Sequence, residues 1–270
     1  MPESEDSTKK ELIKAGVEFV KTVYDDALHP IAAEAGKALG TLGKAVNVAL
    51  APLLGLVWSG EQIVKYVSET IGQKLRERNV PIERIQTPDP DIAVPALAAL
   101  RYSKLRENYA NLLATSMDSA VSNQAHPAFV EILKQLTPDE AKIIEFLPRV
   151  GLSEPLAELG YTVSMEKGHF TIIRHIGTLA FDAKCDNPDW LPKYVDNLCR
   201  LGLTEIPPMT KLAEDFRYDR IKELDLVKKT EQEIPKGSIF DFTPKMIGLT
   251  VFGGAFRDAC VTPPNDKSKS

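Results

Sequence analysis

Residues 187–206 read NPDWLPKYVDNLCRLGLTEI, a helix that runs into a strand. Asn187 before Pro188 is a helix-start signal, with asparagine at the N-cap and proline at the first helical position. Leu191, Tyr194, Val195, Leu198 and Leu201 recur at helical spacing and form one apolar face. Gly202 closes that helix, and LGLTEI runs on into a strand. The reverse junction lies at 247–260, IGLTVFGGAFRDAC, where a strand leads into a helix with Thr250 at its N-cap. Leu-Gly-Leu before a strand, and Leu-Thr-x-x-Gly-x-x-Phe after one, is a pattern of winged helix-turn-helix domains.

The elements upstream fit the same plan. Thr137-Pro138-Asp139-Glu140 places threonine at an N-cap, proline at N1 and glutamate at N3, and so starts a helix over about 138–148. Tyr161, Val163 and Met165, then Phe170 and Ile172, alternate with polar residues about Glu166-Lys167-Gly168, which makes 161–174 a hairpin. The stretch 210–236 carries 14 charged residues in 27 and reads as a solvated helix or excursion, with Leu212, Phe216, Leu224 and Val227 as its helical face.

Toward the N-terminus the pattern is helical. A helix follows Pro127 through Phe129, Ile132, Leu133 and Leu136, and another runs on from Ala96 with Leu105, Tyr109, Leu112, Leu113 and Met117 on its apolar face. Between 80 and 95 four prolines, Pro81, Pro88, Pro90 and Pro95, read as an extended connector, with Asp89 and Asp91 available for turns or caps. Ser59 and Gln62 form a capping-box pair for a helix with Ile63, Val67, Ile71 and Leu75 at spacing four, ending near Asn79. A first helix spans about 8–28 and stops at His29-Pro30.

Between these helices lies an unusual segment, 31–58. Its last fourteen residues, Ala45 to Trp58, hold no charge, too few for the roughly 18–20 apolar residues of a membrane span. Lys37, Thr41, Lys44 and Asn47 make a narrow polar stripe, and Gly36, Gly40 and Gly43 beside it allow close approach of another backbone. Pro52 is expected to kink or split the helix. Two readings stand: a buried helix at the centre of a helical domain, or an element that enters a membrane when exposed. Leu50, Leu53, Leu54, Leu56, Val57 and Trp58, with the three glycines, are its candidate membrane or helix-contact residues.

Composition narrows the function. The 270 residues are 43% hydrophobic and 26% charged with a net charge of −5, so disorder and nonspecific coating of nucleic acid are both disfavoured. Cys185, Cys199 and Cys260, odd in number and unpaired in spacing, suit a reducing compartment. Residues 1–14 are polar and carry no apolar signal core, so the cytoplasm is expected, with conditional contact at the inner membrane. Dinucleotide, Walker A, nucleophile-elbow and zincin motifs are absent, and His29, His126, His169 and His175 are scattered. No enzyme, metal or cofactor is expected. From Pro127 to Val261 the chain has 17 basic and 21 acidic residues, net −4. DNA binding needs a basic face, so direct nucleic-acid contact is not favoured; its candidates are Lys193 and Arg200.

The phrases ALAPLLGLVW (49–58), TPDPDIAVPALAALRY (87–102), YANLLATSMD (109–118) and AHPAFVEILKQLTPDEAKII (125–144) resemble the bacterial abortive infection alpha family, Abi-alpha. The likeness runs over about 35–260, its charged stretch 210–236 excepted. It implies a role in phage defence, halting the infected host through a host or phage protein partner, and brings no catalytic residues. A homo-oligomer is open. The expectation is a mainly α-helical chain with a small β component: an N-terminal helix and tail (1–30), a helical domain (31–125), a winged-helix-like α+β domain (126–261) and a tail (262–270). The runner-up function is a DNA-associated regulator.

Overall fold

Val67, Ile71 and Leu75 are fully buried, as their spacing of four requires, along a helix over Glu61–Glu77. A computed structural model of the chain describes residues 42–53, 61–100, 103–164 and 168–262. The helix expected at 8–28 and the capping pair Ser59–Gln62, apart from the helix start itself, lie outside what is described. The molecule is mainly helical, with one four-stranded antiparallel sheet. It divides into two units, the first ending at Gln135 and the second spanning Leu136–Val261.

In the first unit α1 covers 42–53 and α2 is Glu61–Glu77; α3 is Pro90–Leu100, α4 Arg106–Met117 and α5 Pro127–Gln135. Every residue from Tyr109 to Met117 is buried, so α4 is the central helix, with α2, α3 and α5 packed around it. A helix enclosed on all sides must satisfy its polar residues internally. Arg78 does so, donating to Thr115 Oγ1 at 2.9 Å and to Asn111 Oδ1 at 3.2 Å. Because α5 packs on α3 and α4, it belongs to the first unit, and the division falls ten residues beyond the expected 125/126 boundary, after Gln135.

The proline-rich joint differs from its sequence reading. Residues 81–89 are non-helical apart from a 3-10 turn at Ile82–Arg84, but α3 already begins at Pro90 and holds Pro95 in its interior. Asp89 caps it, its carboxylate accepting from Asp91 N at 2.9 Å. Pro95 forfeits the bond to the Asp91 carbonyl, which sits on an exposed residue. Burial of Ile92, Ala93, Ala96, Leu97 and Leu100 outweighs that loss. The joint is tied down: Arg84 grips the buried Asp118 with two nitrogens, and Gln86 N donates to Met117 O at 2.9 Å. The helix expected to run on from Ala96 is in fact two, α3 and α4, separated between Leu100 and Arg106.

The second unit opens with α6, Pro138–Phe146, whose start is as read: Thr137 accepts from Glu140 N, and the Glu140 carboxylate takes Thr137 N at 2.6 Å. Then come β1, Ser153–Ser164, and β2, Gly168–Ile176; the hairpin thus begins eight residues before the expected 161. Short α7, Leu179–Asp182, precedes α8, Leu191–Arg200. Asn187 does not cap α8. It precedes a 3-10 turn, Pro188–Trp190, and its side chain makes no capping bond. Gly202, at φ +71, does close α8: Leu203 N reaches Leu198 O at 3.0 Å and Gly202 N reaches Cys199 O at 3.0 Å, a Schellman ending.

The sheet has the order β2-β1-β4-β3, with β3 at Thr204–Glu205 and β4 at Ile239–Leu249. Thr250 caps the final helix, α11 (Val251–Phe256), accepting from Gly253 N at 2.8 Å and donating to Gly202 O at 2.6 Å. A Cβ on Gly253 would run into the Leu203 backbone, so only glycine lets α11 seat against the end of α8.

The charged stretch is not simply solvated. It forms a 3-10 turn at Asp215–Tyr218, then α9, Asp219–Lys222, and α10, Asp225–Glu233. Tyr218, Ile221 and Val227 from it are buried against Ala157, Leu159 and Ile176 of the sheet, with Leu212 and Leu224 packed alongside. Phe216, expected on the inner face, is instead 71% exposed. Outward-facing charges pair locally, Lys211 with Asp215 and Lys222 with Asp219, so a highly charged sequence still supplies one apolar face.

Candidate functional site

Helix α1 turns its apolar residues inward. Val46, Leu50 and Leu53 are at most 4% exposed and Gly43 is buried, whereas Val48 is 62% exposed and Lys44 and Pro52 face solvent. Asn47, read as part of a polar stripe, is buried and accepts a hydrogen bond from Ser68 of α2. Its polarity marks an interhelical contact, not a wet face. Gly36, Gly40, Leu54, Leu56, Val57 and Trp58 lie outside the described residues. Among the described residues no helix is long and apolar enough to cross a membrane.

Lys193 and Arg200, seven residues apart, share the exposed face of α8. Neither cation is displayed alone. Lys193 Nζ sits 4.6 Å from the Trp190 ring centroid, and Arg200 donates to Asn197 Oδ1 at 2.6 Å. Asp196 on the same helix holds His175 Nε2 at 3.2 Å. Burial pushes that imidazole below its ordinary value, against the Asp196 carboxylate, which pulls it up.

A buried carboxylate that sequence reading passed over organises the second unit. Asp139 of α6 accepts from Asp186 N at 2.8 Å, Asn187 N at 3.0 Å, Tyr194 Oη at 2.8 Å and Lys142 Nζ at 3.1 Å. Burial opposes the charge, but these four donors together hold the carboxyl well below the usual range. Glu140 beside it accepts from Asn197 Nδ2 at 2.7 Å. One turn of α6 therefore fixes both the approach to α8 and α8 itself. The only sequence signal was two acids at a helix start, which a capping role already explained.

The thiols are quiet. Burial pushes Cys185 up to about 11, and it also raises Cys199. Cys260 is buried. No group of three or more potential metal ligands occurs among the described residues. In the first unit a cleft of about 550 Å³ lies between the 86–92 segment and the 116–125 loop, lined by Thr87, Asp89, Ile92, Ser116, Ser122 and Asn123. Its one carboxylate is already engaged as the cap of α3.

The polar face of the sheet, opposite the covering helices, carries two linked sets. Asp241 accepts from Thr162 Oγ1 at 2.5 Å and pairs with His169 Nδ1 at 3.1 Å; Glu158 pairs with Lys245 at 2.5 Å and accepts from Thr171 at 2.6 Å. These partners hold Asp241 and Glu158 below the ordinary carboxylate value, for Glu158 against an opposing effect of burial.

Compared with known families, residues 60–260 match abortive infection alpha. The chain belongs to the abortive infection alpha family. The match takes in the three phrases of 87–144 and also the charged stretch 210–236, which had found no counterpart in the sequence resemblance; the phrase at 49–58 lies ahead of it. The family's name places this chain with abortive-infection defence against phage. No curated protein matches. Among solved structures this Abi-alpha chain is similar to an uncharacterized protein from the hydrocarbon-degrading marine bacterium Alcanivorax borkumensis SK2. Identity is 18%, over 51% of this chain and 92% of that one, with a TM-score of 0.33.

Proposed function

We propose that this chain protects its bacterial host against phage from the cytoplasm, by contacting other proteins and without a bond-making step of its own. The family match carries the reading. The state of the ionisable groups supports contact over chemistry: Asp139 is saturated with donors, and Cys185 and Cys199 are held as neutral thiols. Exposed apolar side chains supply surface for contact. Val150, Leu152 and Val251 gather where β1 begins and β4 ends, and Val251 is 80% exposed. Expressed in a susceptible bacterium, the protein is expected to cut phage plating by an order of magnitude or more, with infected cells dying before release. Unchanged plating of a broad phage panel on cells that make the protein overturns the reading.

In this reading α1 is core at rest, since Val46, Leu50 and Leu53 already have protein partners. The purified chain is then expected not to float with anionic vesicles. The informative variant is Val48→Glu, which charges the exposed side of α1 and leaves its packing intact. Flotation by the wild type that Val48→Glu abolishes would make α1 a membrane element instead.

One observation favours a second reading, a DNA-associated regulator. The order helix α6, strands β1 and β2, helices α7 and α8, strand β3, helices α9 and α10 and strand β4, with β1 beside β4 beside β3, supports a winged-helix reading once β2 and the α9–α10 excursion are taken as insertions, and in that reading α8 takes the recognition position. The pairing of Lys193 and Arg200 within α8 and its 3-10 lead-in weighs against it. If DNA is bound, Lys193→Ala with Arg200→Ala should flatten the log–log salt dependence by about 2, close to one for each phosphate that is no longer neutralised. No binding at about 50 mM salt ends this reading.

A further inference from the structure

Strand β2 pairs with β1 on one side and stands at the edge of the sheet on the other. Edge strands offer unpaired backbone donors and acceptors, and proteins usually blunt them with lysine, proline, shortness, bulges or a covering element. β2 runs from Gly168 to Ile176 as GHFTIIRHI and has neither lysine nor proline. Its first half is open, with Phe170 47% and Ile172 46% exposed, whereas at its far end α8 approaches and Asp196 holds His175.

The two faces of this edge differ chemically. On one, Phe170 stacks on Tyr161 with ring centroids 5.3 Å apart, and Ile173 packs against the core beneath α9 and α10. On the other, His169 and Thr171 turn toward Asp241 and Glu158. Register places Thr171 opposite Gly160 and Ile173 opposite Leu159, so Ile172 is a bulge and Arg174 falls on the Thr171 face. β2 contains no carboxylate. The nearby acids are occupied, Glu158 by Lys245 and Thr171, Asp241 by Thr162 and His169, and Asp196 of α8 by His175, and Arg174 has no ion pair within 4 Å among the described residues.

We infer that the β2 edge takes up an extended segment of a partner protein as a fifth strand, one alternating apolar side chains with acidic ones. The apolar set would lie along Phe170 and the acidic set along Arg174, while the backbone supplies the main-chain bonds. Charge complementarity selects this occupant over a second copy. A second β2 has no carboxylate to set beside Arg174, whereas an acidic strand supplies one. The inference gives the protein-contact reading a place on the molecule and rests on it for biological setting alone. Phage plating can fail while the titration below succeeds, and the reverse.

The test is fluorescence anisotropy of the full chain with a labelled peptide, EVTVEVTVE, at low salt. Saturable binding is expected, weaker by about tenfold both for the lysine counterpart KVTVKVTVK and for EPTPEPTPE, which keeps the charge and loses the strand donors. Arg174→Glu, an exposed change, should weaken the acidic peptide and strengthen the lysine one. No saturable binding, equal binding of all three peptides, or indifference to Arg174→Glu overturns the inference. So does sedimentation of the chain as a dimer that Phe170→Lys dissociates, which would give the edge to a second copy.

Discussion

Asp139→Ala is expected to lower the stability of the second unit by about 3 kcal/mol, because it orphans donors that the native fold brings to one carboxylate. The backbone N–H groups of Asp186 and Asn187 and the Tyr194 hydroxyl are all deprived of their acceptor at once. Asp139→Asn keeps the shape but can accept at one atom only, and should fall between the two. The effect depends on pH with a definite sign. Asp139 in the folded chain is held below its unfolded value, so its contribution is complete above about pH 4 and disappears as pH falls toward the folded value. Urea unfolding at pH 7 and pH 3 should therefore show the gap between wild type and Asp139→Asn narrowing at pH 3. A residual acid limb is expected in the variant, since Glu158, Asp182 and Asp241 are also lowered. A gap that stays constant with pH would mean that the ionised carboxylate is not what holds α6 to α8.

Leu50→Glu should be at least as damaging to the first unit. Leu50 has no exposed surface, and an ionised carboxylate there costs several kcal/mol unless it takes up a proton. Proton uptake raises the folded pKa above about 4.3, the unfolded value. The variant then loses stability as pH rises from that value through the raised one, and is more stable at pH 5 than at pH 8. Leu50→Gln removes the same apolar volume and should lack that pH dependence, and Val48→Glu on the exposed side should stay within about 0.5 kcal/mol of wild type. Unfolding followed by circular dichroism separates the three. A Leu50→Glu chain as stable as wild type at neutral pH would take α1 out of the core. This contrast also explains why Leu50→Glu is a poor probe of membrane contact: an abolished effect would report unfolding.

Legibility in the sequence followed range. The capping box at Thr137 and the Thr250 cap involve residues three apart, and both are formed as read. Gly202 ends α8 for the same reason, a backbone angle set locally. The stripes Val67–Ile71–Leu75 and Leu191–Tyr194–Val195–Leu198 are buried because periodicity is also a short-range property. Asn187 failed as a cap through a partner 48 residues away: its N–H is taken by Asp139, and the chain enters α8 through a 3-10 turn. Pro90 and Pro95 misled because a count of prolines ignores what the other residues of α3 bury. In the charged stretch Tyr218 and Ile221 were missed among ionisable neighbours. Tyr218 is placed by hydrogen bonds to Leu212 N and Lys245 O, the latter on β4.

Helix starts and stops, the apolar stripes, the mainly helical class and, through motifs in their order, the family are all legible along the chain. Each depends on neighbours a turn or two away, or on the order of residues along the chain. Tertiary structure decided which polar residues are interior, Asn47, Asp118 and Asp139 among them, and which apolar ones are not, Phe170, Leu152 and Val251 among them. It also decided that β2 is an edge. A side chain's solvent is set by elements distant in the chain, and no local pattern encodes which of them will arrive.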